Sequence, residues 1–336
     1  MKHLFAIVLS LVATWSTIST GLAAELRPPV RAGMIGLDTS HCVAFTKLLQ
    51  DPQASGDLKD LKIVAAYPGG SPDIPSSRDR LKGFTEQMRG MGVEIVDSID
   101  ELLRRVDAVL LMSVDGRVHL AQARPVIAAG KPLFIDKPMA ASLADGAEIF
   151  RLARQHHVPC FSSSSLRFSS GFQAVRQKRS PLGQVRNCVA WSPLHLEPHH
   201  PDLFWYGIHG VEGLYTIMGP GCKSVTRPAA DKVVGVWSDG RSGTFIAKND
   251  YGAQVEGTQG SGPVGRLEGY APLVVEISRF FKTGQPPVAA EETLEILAFM
   301  EAADESKRLG GAPVEIETIM AGTRGTSAAK NPPAHN

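Results

Sequence analysis

Between Arg31 and Cys160 the chain alternates between short apolar runs and longer amphipathic stretches. The runs at 33–35, 63–67, 93–96, 108–112, 133–135 and 158–161 are apolar almost throughout, without a polar residue at every second place. Strands of that kind are buried on both faces, which a sheet achieves when its strands are parallel and helices cover both sides. Apolar residues at helical spacing predict those helices over 42–49, 78–89, 99–105, 119–129 and 143–156. Gly130-Lys131-Pro132 closes the fourth with a glycine and forbids its extension with a proline. The pattern predicts an α/β fold with a doubly wound parallel Rossmann sheet.

After Arg167 the pattern changes. Strands are expected at 185–191, 233–237, 243–247 and 254–258, with Asp239-Gly240 as a tight hairpin turn. No helix of comparable length separates the later three, so a largely antiparallel open sheet in an α+β domain follows. Helices at 273–281 and 291–308 come next, and the Gly-, Ser-, Ala- and Pro-rich end at 323–336 reads as a disordered tail. With 336 residues there is room for two full cores. The expected organisation is a leader over 1–24, a nucleotide-binding domain over 25–160, a substrate and oligomerisation domain over 161–320 and a tail over 321–336.

The leader is read from Lys2 and His3, an apolar stretch from Leu4 to Trp15, and small residues ending at Ala23-Ala24 before Glu25. That is the layout of a secretory signal peptide, with an apolar run short for a bilayer span. Export to the periplasm or beyond is expected, with no membrane attachment after cleavage. A net charge of +1 and the absence of any basic run argue against a nucleic-acid partner. Cys42, Cys160, Cys188 and Cys222 lack C-x-x-C spacing, which argues against a thiolate metal site. Either one disulfide, Cys188 to Cys222, or four buried thiols is compatible with these positions.

The first strand runs into "MIGLDTSH", residues 34–41. In the dinucleotide fingerprint G-x-G-x-x-G the first glycine makes the turn, the second lets pyrophosphate approach the backbone, and the third allows close helix packing. Gly36 fills the first place, while Asp38 and His41 hold the other two. Asp38 brings a carboxylate towards the phosphates, a repulsion of about 1 kcal/mol at 4 Å in water and about 4 at an effective dielectric of 20. As a tolerated intruder, its change to glycine would tighten cofactor binding by about 1–2 kcal/mol. Thr39 and Ser40 hydroxyls at the helix start remain able to cap the helix or hold phosphate. The second strand ends in Ala66-Tyr67-Pro68-Gly69-Gly70-Ser71, with no carboxylate to select NAD over NADP.

Farther on stand "AAGKPLFIDKPMAASLADG" at 128–146, "DAVLLMSVDGRVHLAQA" at 107–123, "SSSSLRFSSGFQAV" at 162–175 and "LAFMEAADESKRLGGAPVEI" at 297–316. In order and spacing these segments resemble the Gfo/Idh/MocA oxidoreductase family over nearly the whole mature chain. The resemblance implies a Rossmann domain and an α/β domain with an open sheet that often mediates homo-oligomers. NAD or NADP would lie between them, with a sugar, polyol or related metabolite as substrate. It places the D-K-P triplet Asp136-Lys137-Pro138 at a strand end, where ligands of open parallel sheets sit, and gives Lys137 a part in proton transfer.

A D-x-G-x-H motif of the family matches Gly207 and His209, with Trp205 where its aspartate belongs. His209 is then the acid–base partner, and Asp202, one turn earlier, is a candidate substitute for the aspartate. The stretch "SPLHLEPHH" adds His195, Glu197, His199 and His200. Either a sugar-binding loop, with Trp205 and Tyr206 as stacking surfaces, or a divalent metal would suit it. Arg167, His199, His200, Asp202, Trp205 and Tyr206 are the substrate candidates; Gly36, Asp38, Thr39, Ser40, His41, Asp136 and Lys137 are the cofactor candidates. Two weakened cofactor elements in an exported chain keep a second reading open: a non-redox carbohydrate-binding protein, or a hydrolase cleaving glycosides with metal or cofactor assistance.

Overall fold

The computed structural model describes residues 28–329, with side chains through 322. The leader expected at 1–24 lies outside them. In chain order the first half gives β1 (Val30–Ile35), α1 (Ser40–Leu49), β2 (Leu61–Tyr67), α2 (Pro75–Gly90), β3 (Glu94–Ile95), α3 (Ile99–Leu103), β4 (Ala108–Leu111), α4 (His119–Ala128), β5 (Leu133–Asp136), α5 (Leu143–Gln155) and β6 (Cys160–Ser163). Six parallel strands stand in the order β3-β2-β1-β4-β5-β6. Every residue of β4, β5 and β6 is buried, as strands covered on both faces must be. Strand order reverses between β1 and β4, so the carboxyl ends of β1, β4 and β5 border the crevice where such sheets bind ligands.

The second half adds α6 (Ser170–Arg176), β7 (Val185–Ser192), α7 (Ile208–Met218), β8 (Cys222–Ala229), β9 (Lys232–Trp237), β10 (Ser242–Ala247), β11 (Gly252–Gly257), β12 (Gly260–Arg266), α8 (Ala271–Thr283), α9 (Ala290–Arg308), β13 (Val314–Glu315) and α10 (Ile316–Ala329). Seven strands run β12-β11-β7-β10-β9-β8-β13, antiparallel except between β7 and β10. α7 is buried at every residue and lies against this sheet so closely that a Cβ on Gly210 would stand 2.5 Å from the Phe245 ring. β8, β12 and α6 were not expected. Glycines at 260, 262 and 265 hide β12, and lysine and arginine dilute the apolar signal of β8.

The division of the chain differs from the expected one. β6 extends to Ser163, past the expected boundary at 160. α8, expected in the second domain, packs on the first: Leu273, Val274, Ile277 and Phe280 share a core with Phe45, Phe134 and Phe161, and the Phe161 and Phe280 rings meet edge to face at 4.8 Å. Burying each such side chain stabilises by about 1.5–3 kcal/mol, more than a surface position for α8 would give. α9 returns as well, its Leu297 lying where a Cβ on Gly146 of α5 would be 2.5 Å away. The tail expected from 321 instead continues α10 to Ala329, and 330–336 lie outside the described residues. All four cysteines are free and buried, so the Cys188–Cys222 disulfide is not formed.

Candidate active site

The β1–α1 turn is a Rossmann turn at its first glycine. Gly36 has φ +90°, and a Cβ there would collide with the Ser113 backbone nitrogen, so only glycine fits. Thr39 caps α1, its Oγ1 accepting from His41 N at 3.4 Å, and Ser40 opens the helix exposed to solvent. Asp38 departs from expectation. Fully buried, it turns inward: Oδ2 accepts from Ser77 Oγ at 2.6 Å and Oδ1 from Val114 N at 3.0 Å. Ser77 Oγ in turn accepts from Ser71 N at 2.8 Å. The carboxyl thus ties the loops after β1, β2 and β4 together and does not face a phosphate site. Burial pushes its pKa up, with the bonds from Ser77 and Val114 opposing.

His41, at the third glycine position, reaches the end of β5. Its Nδ1 donates to Asp136 Oδ2 at 2.7 Å, while Asp136 Oδ1 accepts from Lys137 N at 2.9 Å. The imidazole stacks on Phe45 at 5.4 Å and meets Tyr270, just ahead of α8, at 4.7 Å. Burial alone would raise the Asp136 pKa, but the charges and hydrogen bonds of His41 and Lys137 hold it below the usual carboxylate range. Lys137, joined to Pro138 by a cis peptide, is half-buried; burial lowers its ammonium pKa, Asp136 opposes and Arg80 adds to the fall.

From the other side α7 supplies His209, after a π-helical turn over Leu203–Gly207. Tyr206 lies between: Lys137 Nζ stands 5.7 Å from its ring centre, and His209 is 5.9 Å away edge to face. Tyr251 closes the far side of His209 at 5.6 Å. His209 Nδ1 pairs with Ser164 Oγ at 2.7 Å. Burial, then the positive charges of Lys137 and His41, push the His209 pKa well below the ordinary histidine value.

Below it, Glu212 accepts from Ser163 Oγ at 2.5 Å, Ser164 N at 2.7 Å and Arg167 Nε at 2.7 Å. Arg167 also donates to Glu292 at 2.9 Å and is 3% exposed. It is therefore a buried ionic strut under the site, not the substrate contact expected. A void of about 10 Å³ beside Lys137, Ser162 and Glu212 is the size of one water.

The loop joining β7 to α7 crosses from the second sheet onto the first domain. His200, with a fully buried side chain, places Nε2 at 3.2 Å from Asp115 Oδ1. Asp115 also accepts from Ser71 Oγ at 2.6 Å and Arg117 Nη2 at 2.8 Å. Burial works against it, but His200, Arg117 and Ser71 hold its carboxyl far below the usual range. His199 bonds Glu197 at 2.7 Å and lies 3.8 Å from Asp73. The substrate roles expected of four residues here are corrected. His199 and His200 fasten the loop, Trp205 is buried against His200 at 4.8 Å, and Asp202 pairs with Arg227 at 2.9 Å and Lys307 at 2.7 Å. Tyr206 alone reaches the centre, with His195 on its edge at 4.8 Å. Among the described residues no three His, Cys, Asp or Glu side chains gather as metal ligands.

One contributor carried no local signal. His119, fully buried, places its ring nitrogens 2.7 Å from Ser113 O and 3.2 Å from Met139 O, between the loop after β4 and the segment after Pro138.

The turn fits a dinucleotide. Ser40 is open at the N-terminus of α1 and Asp38 points its charge away, while Gly36 itself is packed against Ser113 with its amide donating to Tyr67 O at 3.0 Å. Ser40, at the exposed N-terminus of α1, is the residue that would hold the pyrophosphate. Comparison with known proteins agrees. Residues 31–164 match the Gfo/Idh/MocA family described as "Oxidoreductase family, NAD-binding Rossmann fold". No curated protein matches the chain. Among solved structures, a "probable dehydrogenase" from Thermotoga maritima superposes with TM-score 0.70 at 20% identity, over 86% of this chain and 100% of that one. Two Lactobacillus casei enzymes, myo-inositol dehydrogenase with NAD(H) and myo-inositol and scyllo-inositol dehydrogenase with NAD(H) and scyllo-inositol, each give 0.66 at 15% identity; they cover 85% and 86% of this chain and 96% and 99% of theirs. The fold is that of these dehydrogenases, and residues 31–164 match that family's NAD-binding Rossmann model.

Proposed function

We propose that the protein is an NAD(P)-dependent oxidoreductase that interconverts a secondary alcohol and a ketone on a sugar, polyol or related metabolite. One observation carries this reading: Lys137 from the first domain and His209 from the second converge on Tyr206, at the end of β5 beside the Rossmann turn. The nicotinamide, when bound, supplies the hydride chemistry. The chain's own residues handle the hydroxyl. Lys137, desolvated yet next to Asp136, can hold the substrate oxygen as its charge changes. Tyr206, Tyr251 and Tyr270 present ring faces and hydroxyls of the kind that receive a polyol. The inositol dehydrogenases named above share this fold and support a cyclic polyol as the first substrate to try.

The test is to supply the purified protein with NAD⁺ or NADP⁺ and a panel of polyols and follow the reduced nicotinamide. Lys137→Met is expected to cut kcat by about 10²–10⁴ while cofactor still binds. A variant turning over at the wild-type rate would remove Lys137 from the chemistry. The reading also includes export, which N-terminal sequencing of the native protein checks; a protein still beginning at Met1 would contradict it. It includes self-association through the open face of the seven-stranded sheet, where Val236 stands 43% exposed. A monomer by light scattering at working concentration would contradict that.

A further inference from the structure

Two histidines reach the crevice, and their hydrogen bonds set them to opposite tasks. His41 gives its Nδ1 proton to the Asp136 carboxylate, which is kept ionised by its surroundings. With Nδ1–H on Asp136, the neutral form of the ring has Nε2 as its lone-pair acceptor, and that nitrogen has no partner among the described residues. His209 is arranged the other way. Ser164 Oγ already accepts from Leu166 N at 3.3 Å, and among the described residues the hydroxyl proton has His209 Nδ1 as its acceptor. The His209 proton is therefore on Nε2, making this ring a donor. His41 keeps 12% of its side chain exposed, enough for proton exchange with solvent, whereas His209 is enclosed by Tyr206 and Tyr251.

We propose that His41, oriented by Asp136, is the residue that accepts the substrate hydroxyl proton, with His209 serving as a hydrogen-bond donor to the substrate. The inference rests on the oxidoreductase reading. In the oxidation direction the substrate O–H bond breaks and an Nε2–H bond forms on His41. A bound nicotinamide would take the C–H electron pair as hydride, leaving a carbonyl. The imidazolium stays paired with Asp136 and returns its proton to water along its exposed edge; reduction reverses each transfer. This is the His–carboxylate arrangement of general-base catalysis, in which the acid fixes tautomer and orientation. The groups bearing on His41 are Asp136 and Lys137 from the end of β5, His209 from α7 and Tyr270 ahead of α8, with Arg80 on α2 adding its charge at Lys137.

The experiment uses the full-length protein and has two readouts. Nitrogen-15 NMR of the histidines, without cofactor, is expected to show His41 protonated on Nδ1 and His209 on Nε2, with Asp136→Asn abolishing the His41 preference. The pH profile of kcat, with NAD⁺ and a polyol, is expected to lose its acidic limb in His41→Gln, with kcat down by about 10²–10⁴ and partial rescue of His41→Ala by added imidazole. His209→Gln keeps the limb. Circular dichroism shows whether each variant is folded, and His41→Asn serves if the glutamine variant is not.

An active wild type whose His41→Gln retains kcat within about threefold and the same pH profile overturns the inference and leaves the oxidoreductase reading standing. A His41→Gln that weakens only cofactor affinity, with kcat restored at saturation, likewise overturns it. A wild type that neither binds nor reduces NAD⁺ or NADP⁺ overturns the oxidoreductase reading, and the inference with it.

Discussion

Replacing Asp38 by alanine discriminates most sharply between what its position in the fingerprint implies and what its contacts do. The carboxylate takes hydrogen bonds from Ser77 Oγ and Val114 N, and both Asp38 and Ser77 are fully buried. Alanine leaves the two donors without an acceptor, each costing about 1–3 kcal/mol. Relief from burying a carboxyl whose pKa is already raised offsets part of that. The expected loss is about 2–5 kcal/mol, a large share of the roughly 5–15 kcal/mol typical of a folded domain. Asp38→Asn keeps one side-chain oxygen to accept from Val114 N, so it should lose about half as much. Urea denaturation followed by tryptophan fluorescence measures each loss. Because the charge faces inward, neither Asp38→Ala nor Asp38→Gly should tighten NAD(P) binding. An alanine variant within about 0.5 kcal/mol of wild type, with about tenfold tighter cofactor binding, would refute this and restore Asp38 as a phosphate-facing intruder.

Two further perturbations follow from the buried groups beneath the site. Arg167→Met strips the cationic partner from Glu212 and one of two from Glu292, and is expected to destabilise by about 3–5 kcal/mol in thermal or urea unfolding. Near-wild-type stability with a raised KM would instead make Arg167 a substrate contact. His209 is held neutral when folded, so the unfolded chain binds the extra proton below the ordinary histidine pKa of about 6.5 and stability falls as pH drops through that value. His209→Gln should therefore reduce the pH slope of the unfolding free energy between about pH 6.5 and 5 by up to about 1.4 kcal/mol per unit. Parallel slopes for variant and wild type would show that His209 titrates alike in the folded and unfolded chain.

Much of the fold was written locally. Apolar strands such as Leu133–Asp136 and the glycine at 36 announce a parallel sheet and its turn, because burial on both faces and a positive φ each leave a residue-level mark. Lys137 and His209 were legible through motifs, and the structure brings them to one ring, Tyr206. What stayed hidden depended on side-chain direction. Asp38 and Arg167 looked like ligand contacts, yet one turns inward to Ser77 and the other is locked between two glutamates. His41 read as an obstacle to helix packing until the end of β5 supplied Asp136 as its partner. α8 crosses back to the first domain because its phenylalanines complete that core, a choice no local pattern encodes.

The central claim is that this turn and crevice serve a nicotinamide cofactor. Its most direct test is to release any nucleotide from the freshly purified protein by denaturation, identify it, and titrate the stripped protein calorimetrically with NAD⁺, NADH, NADP⁺ and NADPH. The account predicts a nicotinamide dinucleotide carried through purification, or saturable binding of one of the four at close to one per chain. A protein that carries none and takes up none of the four would contradict it.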